Sequence, residues 1–117
     1  MDIKEYVKTA RKPRSHAHTD LVHAVLDYFG IYPDKIRAWQ ANTAALAVGK
    51  RFIRCGRKGQ ADVSGIWHNG IRVEVEMKIG KDKLRPEQIE FRDEILEMGG
   101  IYVECRSLDD IRFLVEG

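Results

Sequence analysis

The chain lacks any long apolar segment and has few cysteines, and each shortage excludes a class of protein. None of its apolar runs approaches the roughly 20 residues of a membrane-spanning helix. Only two cysteines occur in 117 residues, and neither Cys55 nor Cys105 has the CxxC or CxxH context of a zinc site. We interpret both as reduced residues rather than as a disulfide. The N-terminus lacks the apolar stretch of a signal peptide, which predicts a cytoplasmic protein of a bacterium or a viral host.

Acidic residues are missing from the middle of the chain. Residues 35–61 contain seven basic residues and no acidic one, although the net charge of the whole chain is only +2. From Asp82 onwards there are ten acids and five bases. This asymmetry is typical of a protein that meets a polyanion on one side. A solvated surface with chance clustering of charges explains it equally well.

The composition favours one globular domain, because 44% of the residues are hydrophobic and 32% are charged. We expect residues 1–14 to form a basic, loosely attached arm and residues 15–117 to form a single domain. Periodicity predicts the order α-β-β-β-β-α-β-α, which is an α/β fold with a mixed sheet flanked by helices. The predicted strands cover residues 36–41, 51–55, 61–67, 71–79 and 101–105.

Capping and breaking residues set the predicted helices. Thr19 is the expected N-cap of a first helix that ends at Gly30. Pro86 opens a second helix, which Gly99 and Gly100 stop. Ser107 is the expected cap of a last helix. The segment 43–48 is small and apolar, and the sequence does not place it.

Two neighbouring predicted strands, joined by a turn at residues 68–70, carry the candidate chemistry. Asp62 lies on the first strand. On the second, apolar and charged residues alternate, so that the charged ones share one face; they are Arg72, Glu74, Glu76 and Lys78. Two carboxylates and a lysine converging there would hold a divalent cation beside a reaction centre. The structural alternative is a solvent-exposed strand face with an ordinary ion pair.

Phosphodiester hydrolysis is the reaction that these residue types support. It needs an activated water and an electrophile that relieves charge on the phosphate, and a hard cation with oxygen ligands supplies both. Asp62 and Glu76 are the expected ligands. Lys78 can reach the attacking water or the phosphate, and Gln88, on the first turn of the next helix, can point back to this strand end. Glu74 is expected to lie too far away to touch the metal.

Four segments together resemble the virus-type replication-repair nuclease (VRR-NUC) domain, a branch of the PD-(D/E)xK restriction-endonuclease-like superfamily. They are residues 56–65, residues 75–78, residues 83–88, and the pair 99–101 with 107–110. The resemblance covers the chain from about His16 to the C-terminus, and the order and spacing of the segments make it fairly specific.

The resemblance implies a Mg²⁺-dependent nuclease with a restriction-endonuclease-like core. Asp62 and Glu76 would bind Mg²⁺ or Mn²⁺ together with the backbone carbonyl of Met77. Lys78 would be the catalytic lysine and Gln88 the family glutamine. The implied substrate is DNA, often branched, flapped or four-way, in replication, repair or recombination. The implied assembly is a homodimer or a larger homo-oligomer.

The first helix departs from the family pattern, in which it usually offers a glutamate to the site. The matching register gives His18 or Asp20, and the sequence leaves this choice open. We interpret the histidines of this helix as surface residues, and both Trp39 and Trp67 as core residues, although a tryptophan can also stack on bases. Five basic residues around the site are predicted to hold the DNA backbone: Arg54, Arg57, Lys58, Lys81 and Lys83.

Two other classes of function compete with the nuclease. One is a catalytically inactive DNA-binding module, or a subunit of a larger nuclease. The complete set of Asp62, Glu76, Lys78 and Gln88 argues against a loss of activity. The other is a structural or protein-interaction domain, which explains the basic middle of the chain but not the acids.

Overall fold

The computed structural model describes residues 13–41, 45–48, 51–54 and 57–116, and their side chains in 16–41 and 57–116. Helix α1 (Pro13–Gly30) is followed by five strands, helix α2 (Pro86–Glu97), strand β6 (Ile101–Cys105) and a 3₁₀ helix (Leu108–Leu114). The five strands are β1 (Ile36–Gln40), β2 (Ala45–Val48), β3 (Arg51–Arg54), β4 (Val63–Trp67) and β5 (Arg72–Met77).

The main sheet has the strand order β1-β4-β5-β6. The pairs β1/β4 and β4/β5 are antiparallel, whereas β5 and β6 are parallel and α2 connects them. Strands β2 and β3 form a separate antiparallel pair. The predicted α/β fold with a mixed sheet flanked by helices is therefore confirmed. The structure has one strand that the sequence did not predict. This strand is β2, and it lies in the segment 43–48 that the sequence did not place.

One face of the main sheet forms the hydrophobic core with α1 and the 3₁₀ helix. From α1, Val22, Val25 and Phe29 are buried, because their spacing of three and four residues puts them on one side of the helix. The sheet contributes the inward residues of β5, which alternate along the strand as predicted. Burial of each such side chain contributes about 1.5–3 kcal/mol relative to an exposed position.

The structure corrects the start of the first helix. α1 begins at Pro13, so Thr19 lies inside the helix and is not its N-cap. Proline is tolerated in the first helical turn because the N–H that it lacks has no partner there. Of the predicted arm, residues 13 and 14 belong to α1, and residues 1–12 lie outside the described residues.

Strands β4 and β5 are shorter than predicted, so Asp62 lies just before β4 and Lys78 just after β5. The other predicted helix ends agree with the structure. α2 begins at Pro86 and ends at Glu97, and Gly99 follows with a φ of +85°. Ser107 is the N-cap of the final helix, which is a 3₁₀ helix. Cys105 is buried and reduced, and Cys55 lies outside the described residues. Within the described part of the chain, no helix has the length and apolar character that a membrane span requires.

The charged face of β5 is buried, contrary to the alternative of a solvated strand face. The exposed fractions are 0% for Glu74, 3% for Glu76 and 8% for Lys78. For Glu76 and Lys78 the physical reason is α2, because its Gln88 hydrogen-bonds to both. Both faces of β5 are therefore covered near Glu76, one by apolar and one by polar partners, whereas Arg72 at the start of the strand is exposed.

Candidate metal centre

The antiparallel register of β4 and β5 brings the two predicted carboxylates together. Val63 lies opposite Val75, so Asp62, directly before β4, lies opposite Glu76 on the polar face. The N–H of Met77 donates a hydrogen bond of 2.9 Å to Asp62 Oδ2. This bond fixes the Asp62 carboxylate at the end of β5, beside Glu76 and Met77.

Helix α1 adds His18 to this pair. His18 Nε2 lies 3.1 Å from Asp62 Oδ2, and one ligand atom each of His18, Asp62 and Glu76 lie within 4.8 Å of one another. Of the two residues that the sequence left open, Asp20 is turned away and lies 3.3 Å from His16 Nε2. The surface interpretation suits His16 and His23, which are exposed, but not His18.

A sequence signal for His18 existed in the spacing of the core residues on α1. Val22, Val25 and Phe29 follow His18 by 4, 7 and 11 residues, so all four lie on one stripe of the helix. Because the predicted helix began at Thr19, His18 was not counted as part of this stripe.

Glu76 is held in an unusual electrostatic state. Its burial, followed by the hydrogen bond with Asp62 and the negative charge of Asp62, raises its pKa from 4.5 to about 9, although Lys78 and Arg85 act in the opposite direction. Without a cation, Glu76 therefore keeps a proton near neutral pH. Two carboxylates placed this closely in a buried site favour any positive charge that can lie between them.

Gln88 connects the catalytic candidates. Its Oε1 accepts hydrogen bonds of 2.9 Å from Lys78 Nζ and from the backbone N–H of Arg85. Its Nε2 donates to Glu76 Oε1 over 3.2 Å. The amide therefore fixes both the ammonium group and the carboxylate, and the backbone at the start of α2 fixes the amide.

These residues line a pocket of about 750 Å³. The pocket contains His18 and all four predicted catalytic residues, together with the predicted DNA contacts Arg57, Lys58 and Lys83. Lys81 is exposed but does not line the pocket. The side chain of Arg54 lies outside the described residues.

Arg57 is tied to α2. Its guanidinium forms an ion pair with Glu94 and lies 5.3 Å from the centre of the Phe91 ring. A cation held in this way contributes to packing as well as to the charge of the pocket. Lys58 and Lys83 are the other two predicted DNA contacts in the pocket.

The loop that delivers Asp62 also packs directly against α2. Gly59 has a φ of +80°, and a Cβ placed there would lie 2.2 Å from the backbone oxygen of Glu87. Only glycine satisfies both requirements, the left-handed backbone and the absence of a side chain. This contact locks the loop to the first turn of α2.

Glu74 lies apart from the metal cluster. It accepts hydrogen bonds of 2.7 Å from Ser64 Oγ and 2.6 Å from Arg72 Nε. These partners balance its buried charge. Glu74 therefore belongs to an ion pair with Arg72 and not to the candidate metal ligands.

Arg106 is a residue near the site that sequence reasoning missed. Its guanidinium donates hydrogen bonds of 2.7 and 2.6 Å to the backbone oxygens of Gly80 and Asp82, and one of 2.8 Å to Glu104 Oε1. These bonds hold the loop that carries Lys81 and leads to Lys83. No pattern in the sequence signals them, because they join backbone and side chain over 24 and 26 residues.

The chain matches no protein-family model, and no curated protein aligns with it at a significant level.

Proposed function

We propose that the protein is a metal-dependent nuclease that hydrolyses phosphodiester bonds of DNA. One observation carries the proposal: the ligand atoms of His18, Asp62 and Glu76 converge within 4.8 Å in a pocket that also contains Lys78 and Gln88. The resemblance of the surrounding motifs to the VRR-NUC family, and hence to a restriction-endonuclease-like core, supports the same function. Branched, flapped or four-way DNA is the substrate class that the resemblance favours.

The donor set fits a small divalent cation. Asp62 and Glu76 offer hard oxygen ligands, which suit Mg²⁺ and Mn²⁺. A cation between them would replace the proton that Glu76 otherwise keeps. In this proposal the Met77 carbonyl is a further ligand, and the imidazole of His18 favours Mn²⁺ over Mg²⁺. When bound, such a cation acts as a Lewis acid on a phosphate oxygen and lowers the pKa of a bound water.

The protein's own residues would orient and neutralise the substrate. Lys78 supplies an ammonium group where negative charge develops on the phosphate. Gln88 keeps that group and Glu76 in fixed positions, so little reorganisation is needed during the reaction. Lys58 and Lys83 at the pocket would hold the adjoining phosphates.

Two measurements test the proposal. Isothermal titration calorimetry with Mn²⁺ should show binding to the wild type and a loss of binding in Asp62→Asn. Cleavage of linear, flapped and four-way DNA in Mg²⁺ or Mn²⁺ should disappear in the same variant. Asp27→Asn, at an exposed position of α1, is the matched control and should behave like the wild type.

The outcome separates the competing functions. A wild type that binds Mn²⁺ and branched DNA but cleaves nothing would be the inactive module or the subunit of a larger nuclease. A wild type that binds neither would contradict the whole proposal. Size-exclusion chromatography with light scattering tests the predicted homodimer independently of cleavage.

A further inference from the structure

Two large apolar side chains are exposed on the polar face of the main sheet. Trp39 on β1 is 50% exposed and Ile66 on β4 is 51% exposed. The prediction that Trp39 is a core residue is therefore wrong, whereas Trp67 is half-buried and its Nε1 donates to the Leu114 oxygen at 2.8 Å. Among the described residues β1 is an edge strand, so Trp39 has a neighbouring main-sheet strand on one side only.

Strand register places Trp39 close to the proposed metal centre. Trp39 lies opposite Ser64, which lies opposite Glu74. Residues that are directly opposite, or two apart along a strand, share a face. Trp39 is thus on the same face as Asp62, two residues along and one strand across. Strand geometry gives a distance of roughly 8 Å between their Cα atoms. A DNA strand with a phosphate at the metal centre would have neighbouring bases over Trp39.

Two arginines flank the apolar pair. Arg37 and Arg72 lie opposite Ile66 on its two neighbouring strands, and both are exposed. The hydrogen bond of 2.6 Å from Arg72 Nε to the buried Glu74 fixes one guanidinium group. A fixed planar guanidinium can stack on a base or bind a phosphate in two-pronged geometry. Trp39, Ile66, Arg37 and Arg72 are called the open-face patch.

Charge and position favour a nucleic-acid strand as the occupant of the patch. Arg37 and Trp39 belong to the part of the chain, residues 35–61, that contains seven bases and no acid. Trp39 also lies two residues along and one strand across from Asp62, which lines the pocket. Aromatic side chains interleaved with cations bind single strands, because every unpaired base offers a face for stacking. Bases inside a duplex are already stacked and do not offer it.

We propose that the open-face patch binds unpaired bases of single-stranded DNA, with Trp39 as the stacking residue. The inference rests on the proposed nuclease function and deepens it: the substrate would contain a single-stranded segment next to the scissile phosphate. The selectivity for flapped or branched DNA would then come from this patch, and the metal centre would supply the chemistry.

The two tryptophans make a direct test possible. Short oligothymidine is titrated into the full chain in chelator at low salt, and tryptophan fluorescence is followed; a duplex of equal length is the comparison. Oligothymidine should quench the fluorescence. Because Trp39→Leu removes the reporting fluorophore, the affinities of the variants are measured by fluorescence anisotropy of dye-labelled oligothymidine. Trp39→Leu should weaken binding about 5- to 150-fold, which is the range for one stacked base. Trp39→Phe should retain most of the wild-type affinity for oligothymidine, since stacking requires only an aromatic ring.

Controls separate stacking from other effects of the substitution. Phe113→Leu changes a side chain of similar exposure, 52%, on the 3₁₀ helix, and should leave the affinity unchanged. Duplex affinity should change little in Trp39→Leu. Unchanged oligothymidine binding in Trp39→Leu, or no quenching in the wild type, would overturn the inference. So would a change from dimer to monomer in Trp39→Leu without a change in DNA affinity, since a second copy of the chain would then cover the patch.

The failure of this inference differs from the failure of the nuclease proposal. The fluorescence titration contains no metal and no cleavage. Quenching by oligothymidine without cleavage of any DNA in Mg²⁺ or Mn²⁺ would support the single-strand site and contradict the nuclease proposal. Cleavage by the wild type together with unchanged single-strand binding in Trp39→Leu would support the nuclease proposal and contradict the single-strand site.

Discussion

Lys78 Nζ donates a hydrogen bond of 2.9 Å to Gln88 Oε1, and both side chains are buried. The two residues lie 10 positions apart, one directly after a strand and one on the first turn of a helix. A buried ammonium group needs an acceptor, because an unpaired charge away from water costs several kcal/mol. The position of α2 therefore determines where the charge of Lys78 lies in the pocket.

Gln88→Leu should disturb both the stability and the chemistry. It leaves the buried Lys78 without its acceptor, which costs about 1–3 kcal/mol, and it also removes the acceptor of the half-buried Arg85 N–H. The free energy of unfolding, measured by urea denaturation, should fall by at least that amount, and single-turnover cleavage should slow. Gln40→Leu, at an exposed position on β1, should change neither. Equal stability of the two variants would show that the network contributes nothing.

The pH dependence of stability should report the state of Glu76. Its pKa is raised to about 9 in the folded protein, so its carboxyl group contributes fully to stability below about 4.5 and this contribution is lost as the pH rises towards 9. In chelator, the free energy of unfolding of the wild type should fall relative to Glu76→Gln over this window, by up to about 1.4 kcal/mol per pH unit.

Saturating Mn²⁺ should remove most of that decline in the wild type, because a bound cation stabilises the ionised carboxylate. It should have little effect on Glu76→Gln. Wild-type and variant curves that run parallel from about pH 5 to about pH 8 in chelator would contradict the raised pKa of Glu76.

The salt dependence of DNA binding should identify the cations that meet phosphates. A variant that no longer binds one of the phosphates should have a slope of log affinity against log salt that is smaller by about 0.9 on duplex DNA. Lys58→Ala and Lys83→Ala should each show this reduction. Lys81→Ala, outside the pocket, should show a smaller one. Identical slopes for all three variants and the wild type would remove the pocket from the DNA interface.

Gly59→Ala should weaken the proposed metal centre, although Gly59 is not one of its ligands. A Cβ at this position would collide with the Glu87 backbone oxygen, and so it would displace the loop that ends at Asp62. Gly70→Ala is a matched control, since Gly70 has a similar φ of +86° and open space around it. Gly70→Ala should cost only the backbone strain, about 1 kcal/mol.

Gly59→Ala should cost clearly more in urea denaturation and should also lower the Mn²⁺ affinity measured by calorimetry. An equal loss of stability in the two variants, with normal Mn²⁺ binding in both, would show that the packing of Gly59 against α2 does not position Asp62.

The sequence by itself determined most of the elements and the polar residues of the site. Alternation along residues 71–78 predicted a strand with a charged face, because side chains on a strand point alternately to its two faces. Pro86 and Gly99 predicted the limits of α2, since their backbone preferences act locally. The turn between two predicted strands indicated that Asp62 and Glu76 converge, and the observed register places them opposite each other.

The tertiary structure decided what covers each face. Alternation shows which residues share a face but not what packs on it, so the burial of Glu76 and Lys78 depended on the position of α2. The choice of His18 over Asp20 depended on a contact between residues 44 positions apart. Trp39 is exposed for the same reason: an apolar side chain is buried only where another element lies over it, and that is a property of the assembled chain.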